Sequence, residues 1–383
     1  MIIKRIDFLD YAKAIAIFFV ISVHVGFDKL NNIFLFVLPL FFVVTGYTFT
    51  LGKRSLKENI ILRFKSIMIP FWIFMILYTC IDVLRAYLFE YGNYEVMFSS
   101  LAKSIYGSGI IPFNNNLTEY FKEMMSYKSQ PTSGVDIILP ASCHLWFLPA
   151  TFIGYVMFAS LVKPTRDKPW LKLICIIALI LFSSLEVVFP SLCQLPFGIG
   201  RGALGAAFML VGYSLKDKEF FENKSFKFNV IIFVLSSIIF VSSLCLGSDG
   251  SAFVRSYYGP YGILSVFITF IGGTCGVILL LKLCCLIDKI PFAKVKSILS
   301  FIGKNVMVFY VFHMLFKFVL DAIYINCFHY GEDILLDEYK MALLPENSML
   351  YMIFEVFIIL VLCFLFVKIY NKCKENIRVL RCK

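Results

Sequence analysis

Lys13 and His24 interrupt the first apolar segment of the chain, which begins at Asp7 and is otherwise rich in Ala, Ile, Val and Phe. Ionisable side chains inside a membrane span cost free energy, and by default they mark a functional site. Eleven positions separate the two residues, which on an α-helix amounts to about three turns plus 20° and about 16 Å along the axis. The spacing therefore predicts that both side chains lie on one helical face. A cation and an imidazole aligned in this way can bind the two ends of a long anionic substrate.

The composition indicates what kind of element must position these residues. Of 383 residues, 60% are hydrophobic and 16% are charged, and the mean hydropathy is +0.84. Soluble domains are about 45–50% apolar and about 25% charged, so the composition predicts a polytopic protein of the lipid bilayer. The net charge of +11 would suggest a nucleic-acid partner in a soluble chain. Here the bias of Lys and Arg toward cytoplasmic loops explains it, and no nucleic-acid partner is expected.

Apolar runs long enough to cross a bilayer recur along the whole chain. They predict an all-α, polytopic transmembrane helical bundle of about ten spans, in a single membrane-embedded domain over residues 1–383. Lys and Arg cluster near both chain ends and in every second connection, which predicts that both termini are cytoplasmic. The predicted spans are 8–27, 32–51, 67–89, 144–162, 171–189, 199–215, 229–247, 261–281, 298–320 and 348–367.

Further motifs follow Lys13 and His24 in order along the chain: Pro39–Tyr47, Arg63 with Pro70–Trp72, His144–Leu148, Leu210–Tyr213 and Gly303–His313. Together they resemble the acyltransferase 3 family of integral membrane O-acyltransferases over residues 7–313. The first helix of that family has Arg, ten residues and His. This chain has Lys13 in place of the arginine, which resembles the fucose 4-O-acetylase-like branch. Lysine keeps the charge but loses the planar fork that binds phosphate or carboxylate through two hydrogen bonds.

The resemblance implies an acyl-CoA-dependent O-acetyltransferase, expected in a bacterial inner membrane. Such an enzyme takes acetyl groups from cytoplasmic acetyl-CoA and esterifies a hydroxyl of a saccharide, either at the cell surface or lipid-linked. No metal is expected, because the 12 cysteines are scattered through apolar segments without metal-ligand spacing. Two long polar connections, 91–143 and 329–347, are expected either to be functional, by covering the acceptor site, or to be disordered.

For this chemistry, the two histidines within the predicted spans are the candidate acid–base groups. His24 suits the general base that accepts the hydroxyl proton, because the ordinary pKa of histidine lies near neutrality. It could instead carry the acetyl group as a covalent nucleophile, or be a core histidine without a catalytic role. His313 could bind the acceptor, donate to the oxyanion or form a helix-packing hydrogen bond.

The cations near the predicted cytoplasmic surface are candidates for the CoA phosphates, which lysine binds as a point charge. Lys13 could contact those phosphates, pair with Asp10 or simply extend its charge to the membrane surface. Asp10 is a candidate catalytic residue, with the role of orienting Lys13. Arg63 and Lys65 are candidate partners of Lys13 in CoA binding, although topology alone would place cations at that helix end.

Three more residues are candidates for acceptor binding. His144 and Trp146 lie at the predicted outer end of the fourth span, where Trp146 could stack on a sugar or belong to the aromatic belt of the membrane. Asn305 lies eight residues before His313, about 80° around a helix. The two side chains are therefore not expected to share one stripe.

A transporter of a glycan or of its lipid-linked precursor is the alternative from another functional class. In that interpretation His24 and His313 would line a transport pathway. Transporters are usually built from internal repeats with matched broken helices, and the sequence shows neither. A membrane scaffold is a third possibility, but it leaves Lys13 and His24 unexplained.

Overall fold

The computed structural model describes residues 6–25, 35–88, 143–188, 196–217, 220–221, 225–248, 260–328 and 348–381. Apart from Cys143, the two long polar connections of the sequence analysis lie outside these residues. The described part of the chain is helical and contains no strand, as predicted for an all-α fold. Its principal α-helices are α1 (Asp7–His24), α2 (Val37–Thr48), α3 (Leu56–Arg63), α4 (Ile69–Leu88), α5 (Phe147–Thr165), α6 (Pro169–Val188), α7 (Ile199–Asp217), α8 (Phe226–Cys245), α9 (Ile263–Lys289), α10 (Ala293–Lys304), α11 (Val306–Phe328) and α12 (Ser348–Arg381).

Six helical segments in the described residues are long and apolar enough to cross a membrane, or seven if the bent pair α10–α11 is one span. α1 is not among them; its 18 residues include Asp7, Asp10 and Lys13. α2 is apolar but has only 12 residues. A multi-pass helical membrane protein is thus confirmed, whereas the number of about ten spans and the cytoplasmic termini remain predictions.

The outward faces of several helices carry large apolar side chains. In α8 only 11% of an apolar stretch of 18 residues is buried. Ile231, Leu235 and Ile238 are each more than half exposed. A contiguous apolar surface of this kind is unfavourable in water and marks contact with lipid or another protein. The helices with such faces are therefore suited to a bilayer.

The chain divides into two compact units. The first comprises residues 1–31 and 280–383, and within it α1 packs against α10, α11 and α12. The second comprises residues 32–279, where α7 is the central helix and packs against α2, α5 and α6. The single domain over residues 1–383 remains a prediction.

Close packing of α2 and α7 depends on one glycine from each helix. A Cβ atom at Gly46 would overlap the backbone carbonyl of Met209, and a Cβ atom at Gly212 would overlap that of Val43. Small residues allow helix backbones to approach in membranes, where dispersion contacts rather than the hydrophobic effect drive association. Both glycines belong to the sequence motifs, so their packing gives those motifs a structural reason.

Substituting alanine for either Gly46 or Gly212 is expected to lower the thermal stability of the purified protein. Overpacking a well-packed contact costs about 1–3 kcal/mol, because the opposing atoms are backbone and cannot rotate away. Ala178→Val is the control, since it adds bulk on an exposed face of α6. Thermal unfolding in detergent measures the effect, and unfolding of both glycine variants at the wild-type temperature would contradict the close approach.

Candidate functional site

The candidate site of the first unit is built on α1, which runs without interruption from Asp7 to His24. Lys13 and His24 lie on this single helix, so the predicted spacing of about 16 Å and about 20° applies to them. Both side chains are partly buried, and His24 is the last residue of the helix. The helix therefore carries a cation near one end and an imidazole at the other.

An ion pair joins Lys13 to Asp10 one turn earlier. The Lys13 Nζ atom lies 2.7 Å from Asp10 Oδ1, and the side chain of Asp10 is only 4% exposed against 21% for Lys13. A buried carboxylate needs a partner to offset the loss of its hydration. Asp10 thus orients the lysine, and the side chain of Lys13 stays more exposed than that of Asp10.

The start of α1 is also held by its neighbours in the first unit. The hydroxyl of Tyr11 donates a hydrogen bond of 3.3 Å to Asp288 in the last turn of α9. A Cβ atom at Gly303 would overlap the backbone carbonyl of Asp10, so α10 can approach α1 closely only because position 303 has no side chain. The Asp10–Lys13 pair is therefore fixed by a backbone contact as well as by its own charge attraction.

Asn305 separates α10 from α11 at a bend of 81°. Its side-chain amide donates a hydrogen bond of 2.8 Å to the carbonyl of Phe301, which lies in the last turn of α10. The predicted ninth span, 298–320, is therefore not one straight helix. The structure gives Asn305 a role in ending α10, and its assignment to acceptor binding remains a prediction.

His24 meets His313 of α11 in the first unit. The centroids of the two imidazole rings are 5.1 Å apart at an angle of 44°, and His313 is only 1% exposed. The contact joins positions 289 residues apart in the chain, so helix packing and not local spacing produces it. Two imidazoles near each other in an apolar bundle are suited to moving a proton.

The backbone of α11 sets the tautomer of a neutral His313. Its Nδ1 lies 2.7 Å from the carbonyl oxygen of Tyr310, and a carbonyl can only accept, so Nδ1 carries the proton. Nε2 of the neutral ring is then the basic nitrogen, because a neutral imidazole has a single N–H. A neutral His313 can accept a proton or a hydrogen bond at Nε2, but it has no second proton to donate to an oxyanion.

Lys317 is a residue that the sequence analysis did not single out. It lies four residues after His313 in α11 and is only 5% exposed, and its charge is close enough to His24 for an electrostatic interaction. The signal was present in the sequence as a lysine within the apolar run 298–320, at the spacing that places two side chains on one helical face. The pair of histidines thus has a buried cation beside it.

Arg63 and Lys65 lie in the second unit, at a widened turn between α3 and α4. Pro70 has no backbone N–H and removes an α-helical hydrogen bond from the preceding turn. Residues Phe64–Met68 form a π-helical turn there, and the N–H of Ile69 bonds to the carbonyl of Phe64. Single π turns occur frequently at functional sites.

Arg63 is partly buried and Lys65 is exposed. The guanidinium carbon of Arg63 lies 4.9 Å from the centroid of the Tyr155 ring, a cation–π contact that holds this side chain against α5. The structure thus accounts for the placement of Arg63 by packing within the second unit. Binding of CoA by Arg63 and Lys65 remains a prediction.

His144 and Trp146 form a buried aromatic group in the second unit with partners from two other helices. His144 is 4% exposed and packs edge-on against Tyr78, with ring centroids 5.1 Å apart. The guanidinium carbon of Arg201 lies 4.8 Å from the centroid of the Trp146 ring. A cation therefore covers one face of the Trp146 ring. Stacking of a sugar on the other face remains a prediction.

Arg201 itself is 3% exposed and follows Gly200 near the start of α7. A Cβ atom at Gly200 would overlap the carboxyl group of Glu186, which is also 3% exposed. The second unit thus buries a cation and a carboxylate close to the α6–α7 contact. In the sequence, both residues are visible as charges within apolar runs, but their positions there indicate no specific role.

Taken together, the helices and the site define a polytopic helical membrane protein that packs two histidines together and buries several charges. A model of the acyltransferase 3 family, described as an acyltransferase domain, matches residues 6–369. The chain belongs to this family and is a membrane acyltransferase. No curated protein and no solved structure matches the chain.

Proposed function

We propose that the protein is an O-acetyltransferase that transfers the acetyl group of cytoplasmic acetyl-CoA to a hydroxyl of a cell-surface or lipid-linked saccharide. The observation that carries the proposal is the contact between His24 and His313, 5.1 Å between ring centroids, together with the Asp10–Lys13 ion pair on the helix that carries His24. This helix thereby holds a candidate base at its C-terminal end and a cation in its second turn. Acyl transfer from a long, charged thioester requires both.

The distance between the two groups suits a donor that is charged at one end and reactive at the other. CoA carries its phosphates far from the thioester, and Lys13 and His24 are about 16 Å apart along α1. Lys13 would bind phosphate as a point charge. Arg63 and Lys65, in the second unit, are proposed separately as CoA-binding cations. The lysine at this position, as in the fucose 4-O-acetylase-like branch, supports an acetyl donor and a sugar acceptor in a bacterial inner membrane.

In the proposed reaction His24 acts as the general base. Its imidazole accepts the proton of the acceptor hydroxyl while the hydroxyl oxygen attacks the thioester carbonyl carbon, forming a C–O bond and a tetrahedral oxyanion. Collapse of this intermediate breaks the C–S bond, and the departing CoA thiolate takes the proton from the imidazolium. The products are an O-acetylated saccharide and free CoA. His313, adjacent to His24, would relay the proton or bind the acceptor. His144 and Trp146, in the second unit, are proposed separately to contact a sugar.

The full-length protein in lipid nanodiscs tests the proposal directly. We expect it to transfer radiolabel from the acetyl group of acetyl-CoA to a saccharide fraction extracted from membranes of its host. The transferred label should be released by mild alkali, because an ester is alkali-labile and an amide is not. Label that is never transferred to saccharide, together with movement of saccharide across the membrane of sealed vesicles that contain the same protein, would favour a transporter and contradict the proposal.

A further inference from the structure

Lys317 is a buried cation whose position the apolar packing of α11 does not explain. Its side chain is only 5% exposed in a helix composed mostly of Phe, Val, Leu, Ile and Met. Lysine within a membrane span is costly and is retained where it pairs, binds or conducts. The position of the Lys317 ammonium relative to its neighbours therefore indicates the function of this residue.

Two observations place this charge at the histidine pair. His313 and Lys317 are four residues apart in one continuous helix, so their side chains lie on the same face, about 5–6 Å apart at Cβ. The ring of His313 is in contact with that of His24. The electrostatic interaction between Lys317 and His24 agrees with this arrangement.

Acyl transfer also needs a group that neither His24 nor a neutral His313 supplies. The oxyanion of a tetrahedral intermediate requires hydrogen-bond donors or positive charge at the carbonyl oxygen. His24 begins the reaction as a proton acceptor, and the one proton of a neutral His313 is donated to the Tyr310 carbonyl. A lysine ammonium has three donors and a full positive charge.

We infer that Lys317 is a catalytic residue whose ammonium stabilises the oxyanion formed beside His24; this inference rests on the proposed acetyltransferase function. As the C–O bond forms, the carbonyl π electrons move to oxygen, and the ammonium of Lys317 pairs with the resulting negative charge. When the C–S bond breaks, those electrons return to the carbonyl and Lys317 keeps all its protons. The lysine thus contributes charge without taking part in proton transfer.

A purely structural function for Lys317 makes different predictions. Glu355 of α12 is a carboxylate buried in the same unit, only 3% exposed, and α11 packs against α12. If Lys317 served only to neutralise a buried acid, its loss would lower stability, and the double substitution Lys317→Met with Glu355→Gln would restore both stability and activity. If it stabilises the oxyanion, the double variant stays inactive.

The kinetic test compares Lys317→Met and Lys317→Arg with wild-type protein in nanodiscs. We expect Lys317→Met to lower kcat about 10²–10³-fold, as loss of one oxyanion donor does, with the dissociation constant of CoA unchanged. Lys317→Arg keeps the charge and should recover part of kcat. An unchanged kcat in folded Lys317→Met, or recovery by the double substitution with Glu355→Gln, would overturn the inference and leave the acetyltransferase function standing.

A spectroscopic test does not depend on turnover. His24→Gln protein is loaded with acetyl-CoA isotopically labelled at the carbonyl carbon, and the infrared stretch of that carbonyl is recorded with and without Lys317→Met. We expect the stretch to be lowered by the ammonium and to return toward its value for the free thioester in the double variant. An identical stretch in both proteins would overturn the role of Lys317. Absence of any bound thioester signal would instead contradict the acetyl-CoA donor, and with it the proposed function.

Discussion

Replacing His24 with glutamine is expected to lower acetyl transfer by about 10²–10⁴-fold, the usual contribution of a positioned general base. Glutamine is similar in size and can still form hydrogen bonds, so its contact with His313 is largely kept. Transfer of label to saccharide and release of CoA thiol measure the loss. Binding of CoA should be unchanged, because His24 lies at the opposite end of α1 from Lys13.

Ser22→Ala is the matched control for His24→Gln. Ser22 is buried on the same helix two residues before His24, and its hydroxyl donates only to the carbonyl of Phe18 one turn earlier. Removing this oxygen should leave the helix and the activity intact. Wild-type transfer by folded His24→Gln protein would eliminate His24 as the base. Recovery of an acetylated His24 from a wild-type reaction stopped with acid would instead favour the covalent route.

Replacing Lys13 with methionine is expected to weaken acetyl-CoA binding and to destabilise the protein at the same time. The substitution removes a cation from the proposed phosphate site and leaves the buried Asp10 carboxylate without its ion-pair partner. Breaking one side of a buried pair typically costs about 3–5 kcal/mol, and the partial exposure of Lys13 should reduce that figure. Calorimetric titration with CoA and thermal unfolding measure the two effects separately.

A double substitution separates the two functions of Lys13. Asp10→Asn together with Lys13→Met removes both charges, so stability should recover while the affinity for CoA stays low. Lys13→Arg keeps the cation and restores the arginine found in the wider family, so binding should be retained. If folded Lys13→Met protein bound CoA as tightly as wild type, the lysine would have no role in donor binding.

The first helix shows how much of the site follows from local spacing. The composition indicated a helical membrane protein, and the interval between Lys13 and His24 predicted a shared helical face, because residue spacing on an α-helix depends only on its regular geometry. The proximity of Asp10 to Lys13 follows from the same regularity. The motifs also indicated the family, since their residue types and order are properties of the chain itself.

Contacts between distant segments did not follow from spacing. His24 and His313 meet because α1 and α11 pack together, and no interval along the chain predicts which helices become neighbours. Lys317 was overlooked for the same reason, because its importance depends on what the opposite helix presents to it. The close approach of Gly303 to Asp10 and the bend at Asn305 likewise depend on backbone contacts across helices.

Composition, motif order and helical spacing were thus enough to predict the membrane class, the family and the shared helical face of Lys13 and His24. Helix packing added the second imidazole, the buried cation beside it and the orientation of His313, whose Nδ1 proton is directed to a backbone carbonyl. The physical reason is how far apart the residues lie in the chain. Local hydropathy and helical periodicity depend on residues that are close in sequence, whereas acid–base chemistry needs side chains from separate helices within a few ångströms of one another.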